Sequence, residues 1–292
     1  NLLLKLKNIF KIFRNYFEFI IFLILKNFMG LFSFNFASNF GGVLVSLFGR
    51  YTKYKKIIKS NIEVLNLNNE TSSKLVRDNL KETGKVFFEF FNLNKFDWEN
   101  ININNTDILD EIKAHQGPKI FISAHIGNWE LTRNFILRNG FTLHSVYRHA
   151  NNEKIDNYIQ KYRKNDNAFF YKKGSESAKS MIKALKQNED LALLIDQRDS
   201  SGLEIDFFGK KALATDGFAN LAIKYKTMIC PVYSIRNQNG TFQIIFEKPI
   251  RYEQYKNYNI KEFVETIHKK YFEKWITHSP AQWLWVHQRW KL

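Results

Sequence analysis

The sequence predicts an α/β fold: a central, mostly parallel sheet flanked by helices and preceded by an amino-terminal helical, membrane-associating segment. Three observations predict it. After residue 100, short apolar runs at 119–123, 142–146, 190–195 and 228–235 alternate with helix-like stretches, the pattern of strands joined by crossovers. Between Tyr51 and Asn94, apolar residues recur at helical spacing. The first fifty residues are rich in Phe, Ile and Leu and are bordered by lysines and arginines.

Taken in order, Tyr16 to Phe36 is apolar but interrupted by Glu18, Lys26, Asn27 and Asn35, and its longest clean run, Phe19 to Leu25, falls far short of the ~20 residues needed to cross a bilayer. No small-residue cleavage pattern follows, which argues against a signal peptide. A helix lying on a membrane surface, or a marginal anchor, is expected, with Lys5, Lys7, Lys11 and Arg14 before it and Lys53, Lys55, Lys56 and Lys59 after it; the plainer alternative is a helix packed on its own domain. Residues 1–50 are therefore read as a membrane-associated helical segment and 51–292 as one domain. Two helices follow Tyr51, the second opening near Thr71-Ser72-Ser73 and carrying Val86, Phe87, Phe90 and Phe91 on one face. A polar link at Asn100 to Thr106 leads into the alternating strands and helices. Late in the chain, 233–236 and 242–246 flank Asn237-Gln238-Asn239-Gly240 as a hairpin, and 260–277 reads as a closing helix.

The 292 residues, 45% hydrophobic and 16% aromatic, suffice for a sizeable core and exclude a disordered chain. The 44 Lys+Arg against 28 Asp+Glu give a net charge of +16, which implies attraction to a polyanion: nucleic acid, an acidic carrier protein or an anionic membrane. The excess of 28 Phe over 6 Trp and 13 Tyr favours acyl chains over stacked bases. Cys230 is single, so the fold needs no internal disulfide, and its apolar surroundings mark it as packing.

Candidate chemistry begins at Ser123-Ala124-His125-Ile126-Gly127-Asn128-Trp129-Glu130. Five residues is the wrong separation for one face of a helix, so His125 and Glu130 can meet only across a turn. The strand would end near Ala124, Gly127 would supply backbone freedom, Asn128 would cap the next helix, and Glu130 would fall in its first turn. A carboxylate on one imidazole nitrogen makes the other a good general base. The plainer alternative is a loop histidine bonded to backbone, with Glu130 serving only the helix dipole.

Tyr147-Arg148 follows the second strand, where residues past strand ends converge on a ligand crevice, so Arg148 is expected beside His125 as a phosphate or oxyanion contact. Asp196-Gln197-Arg198-Asp199 closes the third strand. Phe207, Phe208, Lys210, Lys211 and Thr215 then cluster as a wall greasy on one side and cationic on the other, with Thr215 as a cap for a helix over 216–226. The tail 280–291 holds Trp283, Trp285 and Trp290 among basic residues, which fits either a membrane-surface belt or a segment docked on the core. His287 lacks an evident carboxylate and reads as structural.

These blocks, from Ser123 to Glu130, Tyr147-Arg148 with Asn152 and Asp156, Asp196-Gln197, Phe207-Phe208-Gly209 with 214–217, and 283–291, closely resemble the bacterial lipid A biosynthesis (lauroyl/myristoyl) acyltransferases of the lysophospholipid acyltransferase superfamily. The resemblance implies a glycerol-3-phosphate acyltransferase-like fold. It also implies transfer of a fatty acyl group from acyl carrier protein, or acyl-CoA, to a hydroxyl of an anionic glycolipid precursor of lipid A at the cytoplasmic face of the bacterial inner membrane. His125 would be the general base and Glu130 its orienting carboxylate; Arg148, Asn152, Asp156, Gln197 and Thr215 match positions expected to bind substrate. No metal, cofactor or nucleic acid is expected. His149 departs from the family's usual proline, which bears on acceptor identity. The rival readings are an acyltransferase for another membrane lipid, such as a lysophospholipid or glycosylated inositol lipid, and a non-catalytic basic membrane module.

Overall fold

The computed structural model describes residues 2–291. Four helices lead the chain: α1 Leu2–Met29, α2 Phe34–Phe48, α3 Lys53–Ile62 and α4 Asn69–Glu89. The α/β part follows as β1 Ile101–Asn104, α5 Thr106–Ala114, β2 Lys119–Ser123, α6 Trp129–Arg138, β3 Leu143–Tyr147, α7 Glu153–Arg163, β4 Ala168–Lys172, α8 Ser175–Lys186 and β5 Asp190–Leu194. Then come the hairpin β6 Arg198–Phe207 and β7 Lys210–Ala214, α9 Gly217–Tyr225, β8 Met228–Arg236, β9 Phe242–Phe246 and the short α10 Tyr252–Tyr255. One closing helix runs through α11 Ile260–Ile267, a π-helical turn His268–Glu273 and α12 Lys274–His278.

Seven strands form one sheet in the order β1-β9-β8-β2-β5-β3-β4, parallel at every pairing except β8 with β9. Alternation along β2 explains how both faces are covered: Ile120 and Ile122 join a core built with α9, α11 and the tail, while Phe121 joins one built with α5 and α6. The expected strands are present, and the 237–240 turn joins antiparallel partners.

The sequence reading missed both edge strands. The link at 100–106 contains β1, and β4 lies within a stretch read as helical or loop. Edge strands are covered only in part: β1 alternates Ile with Asn and exposes Asn102, Ile103 and Asn104, so it reads as polar, whereas 168–171 of β4 is a four-residue apolar run too short to tell from a helix segment, with Phe169 exposed. The hairpin β6–β7 was also unforeseen. Its two-residue turn, Phe208-Gly209, has both φ angles positive, the form that suits a tight hairpin. The α4 start is likewise corrected: Asn68, not Thr71, caps it by accepting from the Thr71 N–H at 2.8 Å, and Phe88 rather than Phe87 faces the core.

α2 packs on α4 at a crossing where Gly41 and Gly84 face each other so closely that a Cβ on either would strike the other's carbonyl. The opposite sides of α1 and α2 are apolar and open: Phe10, Phe13, Phe17, Ile24, Phe36, Val43 and Phe48 are all exposed. So many large apolar residues on contiguous helices exceed what a water-facing surface carries. Among the described residues no helix is long and apolar enough to cross a membrane.

The close crossing gives a direct check. Gly84→Val should lower stability by about 1–3 kcal/mol, because the helix backbones must move apart. Denaturation of the full chain in detergent measures it, and an unchanged midpoint would show that the contact is not needed.

Candidate active site

The register of two neighbouring strands places the central pair. Ser123 of β2 lies opposite Leu194 of β5. Two residues further along each parallel strand stand His125 and Asp196, and they meet: imidazole Nδ1 is 2.8 Å from Asp196 Oδ1. The His125 backbone N–H donates to Asp196 Oδ2 at 2.9 Å, and Trp283 Nε1 donates to the same oxygen at 2.7 Å. Asp196 is fully buried. Burial alone would raise its pKa, but the charge and hydrogen bonds of His125 outweigh that and hold the carboxyl well below its ordinary range. In the neutral form of the imidazole, an ionised acceptor at Nδ1 keeps the hydrogen on that nitrogen and leaves the lone pair on Nε2.

The loop between β2 and α6 is built as the sequence suggests. Gly127 takes φ +58° with its Cα pressed against the Ser234 carbonyl, a place no side chain could enter. Asn128 caps α6, its Oδ1 accepting from the Glu130 and Leu131 N–H groups at 3.1 Å each. Its amide donates to the buried Glu89 at 2.7 Å.

Glu130 is where the structure corrects the sequence reading, since its carboxylate does not orient His125. It sits in the first turn of α6, 6% exposed, hydrogen-bonded to Arg163 and 3.2 Å from Arg133. Arg133 lies one turn on, on the same helix face, and Arg163 comes from the end of α7. Burial works to raise the Glu130 pKa, but the two guanidinium charges prevail and lower it. The carboxylate bonded to the imidazole is that of Asp196, a residue that reads from the sequence only as closing its strand. Its signal was available: an aspartate as far beyond its strand as the histidine is beyond its own.

His125 opens on a cleft of about 1100 Å³ at the carboxyl ends of the strands. Of the expected binding residues, Arg148, Gln197 and Thr215 line it, joined by Arg133, Arg163, Lys173 and Arg198. The Nε atoms of Arg133 and Arg163 are buried without a protein partner. The apolar lining includes Phe121, Ile136, Phe170, Met181, Leu193 and Phe218. Thr215 does not cap α9, which begins after Asp216 without a side-chain cap.

Asn152 and Asp156 are not among the cleft residues. Asn152 is buried, caps α7 at Lys154 N and donates to Asn15 O at 2.8 Å and Glu18 Oε2 at 3.0 Å, so it fastens α1 to the domain. Asp156 is buried and accepts from Ala150 N at 2.8 Å and from the Tyr147 hydroxyl at 3.2 Å, gripping the loop that carries Arg148. Their polar atoms are thus spent on protein partners, α1 and the 147–150 loop, rather than on the cleft.

The tail belongs to the core rather than to a surface belt: Trp283 and Trp285 are fully buried, as is Arg289, whose guanidinium lies over the Phe207 ring. Burial pushes Arg289 down to about 10 and His287 down to about 4. Cys230 is buried, as expected. Among the described residues, no group of three or more His, Cys, Asp or Glu side chains is placed to hold a metal ion.

Fold and site define an α/β protein with a strand-end cleft in which a partly exposed histidine, bonded to a buried aspartate, stands among cationic side chains. The chain belongs to the bacterial lipid A biosynthesis acyltransferase family, whose model matches residues 5–292. No curated protein matches the chain significantly. Among solved structures it is similar to the 1-acyl-sn-glycerophosphate (LPA) acyltransferase PlsC from Thermotoga maritima, with 14% identity over 85% of this chain and 99% of that one and a TM-score of 0.40.

The Glu130 cluster yields a stability prediction. Glu130→Gln leaves two half-buried guanidinium groups without their carboxylate and should cost about 3–5 kcal/mol at neutral pH. A carboxyl with a lowered folded pKa stabilises fully above its unfolded value near 4.5 and loses that contribution as pH falls through the folded value. The gap between wild type and variant should therefore close as pH drops below about 4.5. Urea denaturation at pH 7 and at pH 3.5 measures it, and a gap independent of pH would refute the ion pairing.

Proposed function

We propose that this acyltransferase moves a fatty acyl group from acyl carrier protein to a hydroxyl of an anionic glycolipid precursor of lipid A, with His125 as general base and Asp196 as its orienting carboxylate. The observation that carries the reading is the His125–Asp196 hydrogen bond at the mouth of a cleft lined by five cationic side chains, in a chain of this family.

In this mechanism the acceptor hydroxyl gives its proton to His125 Nε2 as its oxygen attacks the thioester carbonyl. Asp196 stabilises the imidazolium that forms. The tetrahedral oxyanion collapses, the carbon–sulfur bond breaks, and the thiolate of the carrier takes the proton from His125 as it leaves. Direct transfer requires both substrates in one cleft, and its lining offers apolar wall for a hydrocarbon chain and guanidinium groups for phosphate. Glu130 supports that charge by holding Arg133 and Arg163 in place.

The site would work at the cytoplasmic face of the inner membrane. The exposed apolar sides of α1 and α2, bordered by Lys7, Lys11 and Arg14 and by Lys53, Lys55, Lys56 and Lys59, suit a helix pair resting in the headgroup layer with its basic flanks on anionic lipid. The +16 charge would also draw in an acidic carrier protein.

Mass spectrometry of lipid A from cells with and without the gene tests acceptor and donor chain together: loss of one acyl chain is expected, and an unchanged lipid A would sink the assignment. His125→Ala and Asp196→Asn should each lower turnover by roughly 10²–10⁴-fold while the protein stays folded. Full activity in either variant rules out this base.

The membrane reading has its own check. Phe13→Asp combined with Phe17→Asp should weaken flotation with vesicles containing anionic phospholipid by roughly tenfold or more, since two rings no longer enter the interface. Undiminished flotation would place the contact elsewhere.

A further inference from the structure

We infer that the tail segment 281–284 is part of the catalytic centre and that Trp283 is a positioning residue for the His125–Asp196 pair. Nothing in the acyl-transfer mechanism above requires a residue this far along the chain, yet the segment is bonded to the reacting loop by both main chain and side chain. The Leu284 N–H donates to the His125 carbonyl at 2.9 Å, and the Gly127 N–H donates to the Gln282 carbonyl at 3.1 Å. Between these bonds, Ile126 and Trp283 form an antiparallel bridge. The histidine loop is thus paired to the tail as one strand is paired to another.

The indole completes the carboxylate. Asp196 Oδ2 accepts from Trp283 Nε1 and from the His125 backbone N–H, which leaves Oδ1 turned to the imidazole. A carboxylate with one oxygen held by two donors cannot rotate, and a neutral N–H donor fixes it without adding a competing charge. Trp283 itself is fully buried and held in turn by Asn79, whose amide donates to its carbonyl at 2.6 Å and to that of Ala281 at 2.9 Å. Gln282 fastens the segment to the end of β8 by bonding both ways with the Arg236 backbone, at 2.7 and 2.8 Å. Trp285 provides the contrast: it is equally buried in the same tail, but its indole N–H goes to the Pro280 carbonyl, away from Asp196.

The test compares Trp283→Phe with Trp285→Phe in the full chain in detergent. Both remove one buried indole N–H and keep an aromatic ring, so both should lower the melting temperature. Only Trp283→Phe should lower kcat, by roughly tenfold or more, with KM for donor and acceptor unchanged. The turnover arm rests on the acyl-transfer reading, so a second arm needs no substrate: diethyl pyrocarbonate labelling, read peptide by peptide by mass spectrometry. Labelling of His125 should slow severalfold in Trp283→Phe and not in Trp285→Phe, while the exposed His149 and His278 serve as controls. If Trp283→Phe fails to fold, Gln282→Ala, which loosens the segment from β8, should slow His125 labelling in the same way. Equal labelling and equal kcat in the two tryptophan variants would overturn the inference. A wild-type chain that labels as described but transfers no acyl group would instead count against the proposed function.

Discussion

A single pairing constraint, Ser123 opposite Leu194 in parallel neighbours, governs what the cleft can contain. Because β2 and β5 run the same way, residues at equal distance past the pair emerge together, and a histidine and an aspartate at that distance must meet. A shift by one residue would point His125 to the other face and bury the wrong side of both strands. The register is fixed by Ile120, Ile122 and Leu191, each wholly buried in the larger core cluster. Core packing on one face of the sheet thus sets the geometry of the strand-end loops. The chemistry depends on burial far from the cleft.

Around that pair the molecule uses distant buried polar groups to hold a short loop. Glu89 is fully buried and accepts from Ser38 at 2.5 Å, from Arg236 at 2.6 Å and from Asn128 at 2.7 Å. Ser38 belongs to α2, Arg236 ends β8 and Asn128 caps α6 directly after the histidine loop. A buried carboxylate left with any of these donors missing would carry a desolvation cost with less to offset it. The network therefore ties the helix with the open apolar side to the loop bearing His125. Any displacement of α2 is felt at the cap of α6.

Much of this was legible in the residues. His125 just past an apolar strand, Gly127 at a forced turn and Asn128 as a cap could be read locally, since each depends only on its immediate neighbours. The same locality misled at Glu130. A carboxylate five positions away looks like the natural partner of a histidine, whereas the actual partner stands 71 residues on and is brought in by strand adjacency. Asn152 and Asp156 failed for a related reason: polar residues near a strand end can face the cleft or the loop that frames it, and only the path of α1 and of 147–150 decides. The tail was undecidable from composition, because three tryptophans with basic neighbours suit a lipid interface and a core alike. Trp283 and Trp285 are buried because Asn79 of α4, Arg236 of β8 and the histidine loop bind the tail into the core, partners far away in sequence that no local pattern describes.

The position of Glu130 still needs a physical reason, given that its hydrogen bond goes to Arg163 and not to the imidazole. Two guanidinium groups in the cleft wall repel each other, and burial opposes the charge of Arg133, whose pKa is lowered by it. One carboxylate between them offsets the repulsion and leaves a net positive charge facing the cleft. Two carboxylates would cancel that charge, and none would drive the arginines into water. A first-turn glutamate is well placed for this, since the amino end of α6 favours negative charge and Arg133 returns to the same face one turn later. The five-residue separation from His125 then has a meaning different from hydrogen bonding. It is the distance across which one tight turn puts an imidazole and an anchored pair of cations on the same cleft, each held by its own carboxylate, Asp196 for the imidazole and Glu130 for the guanidinium groups.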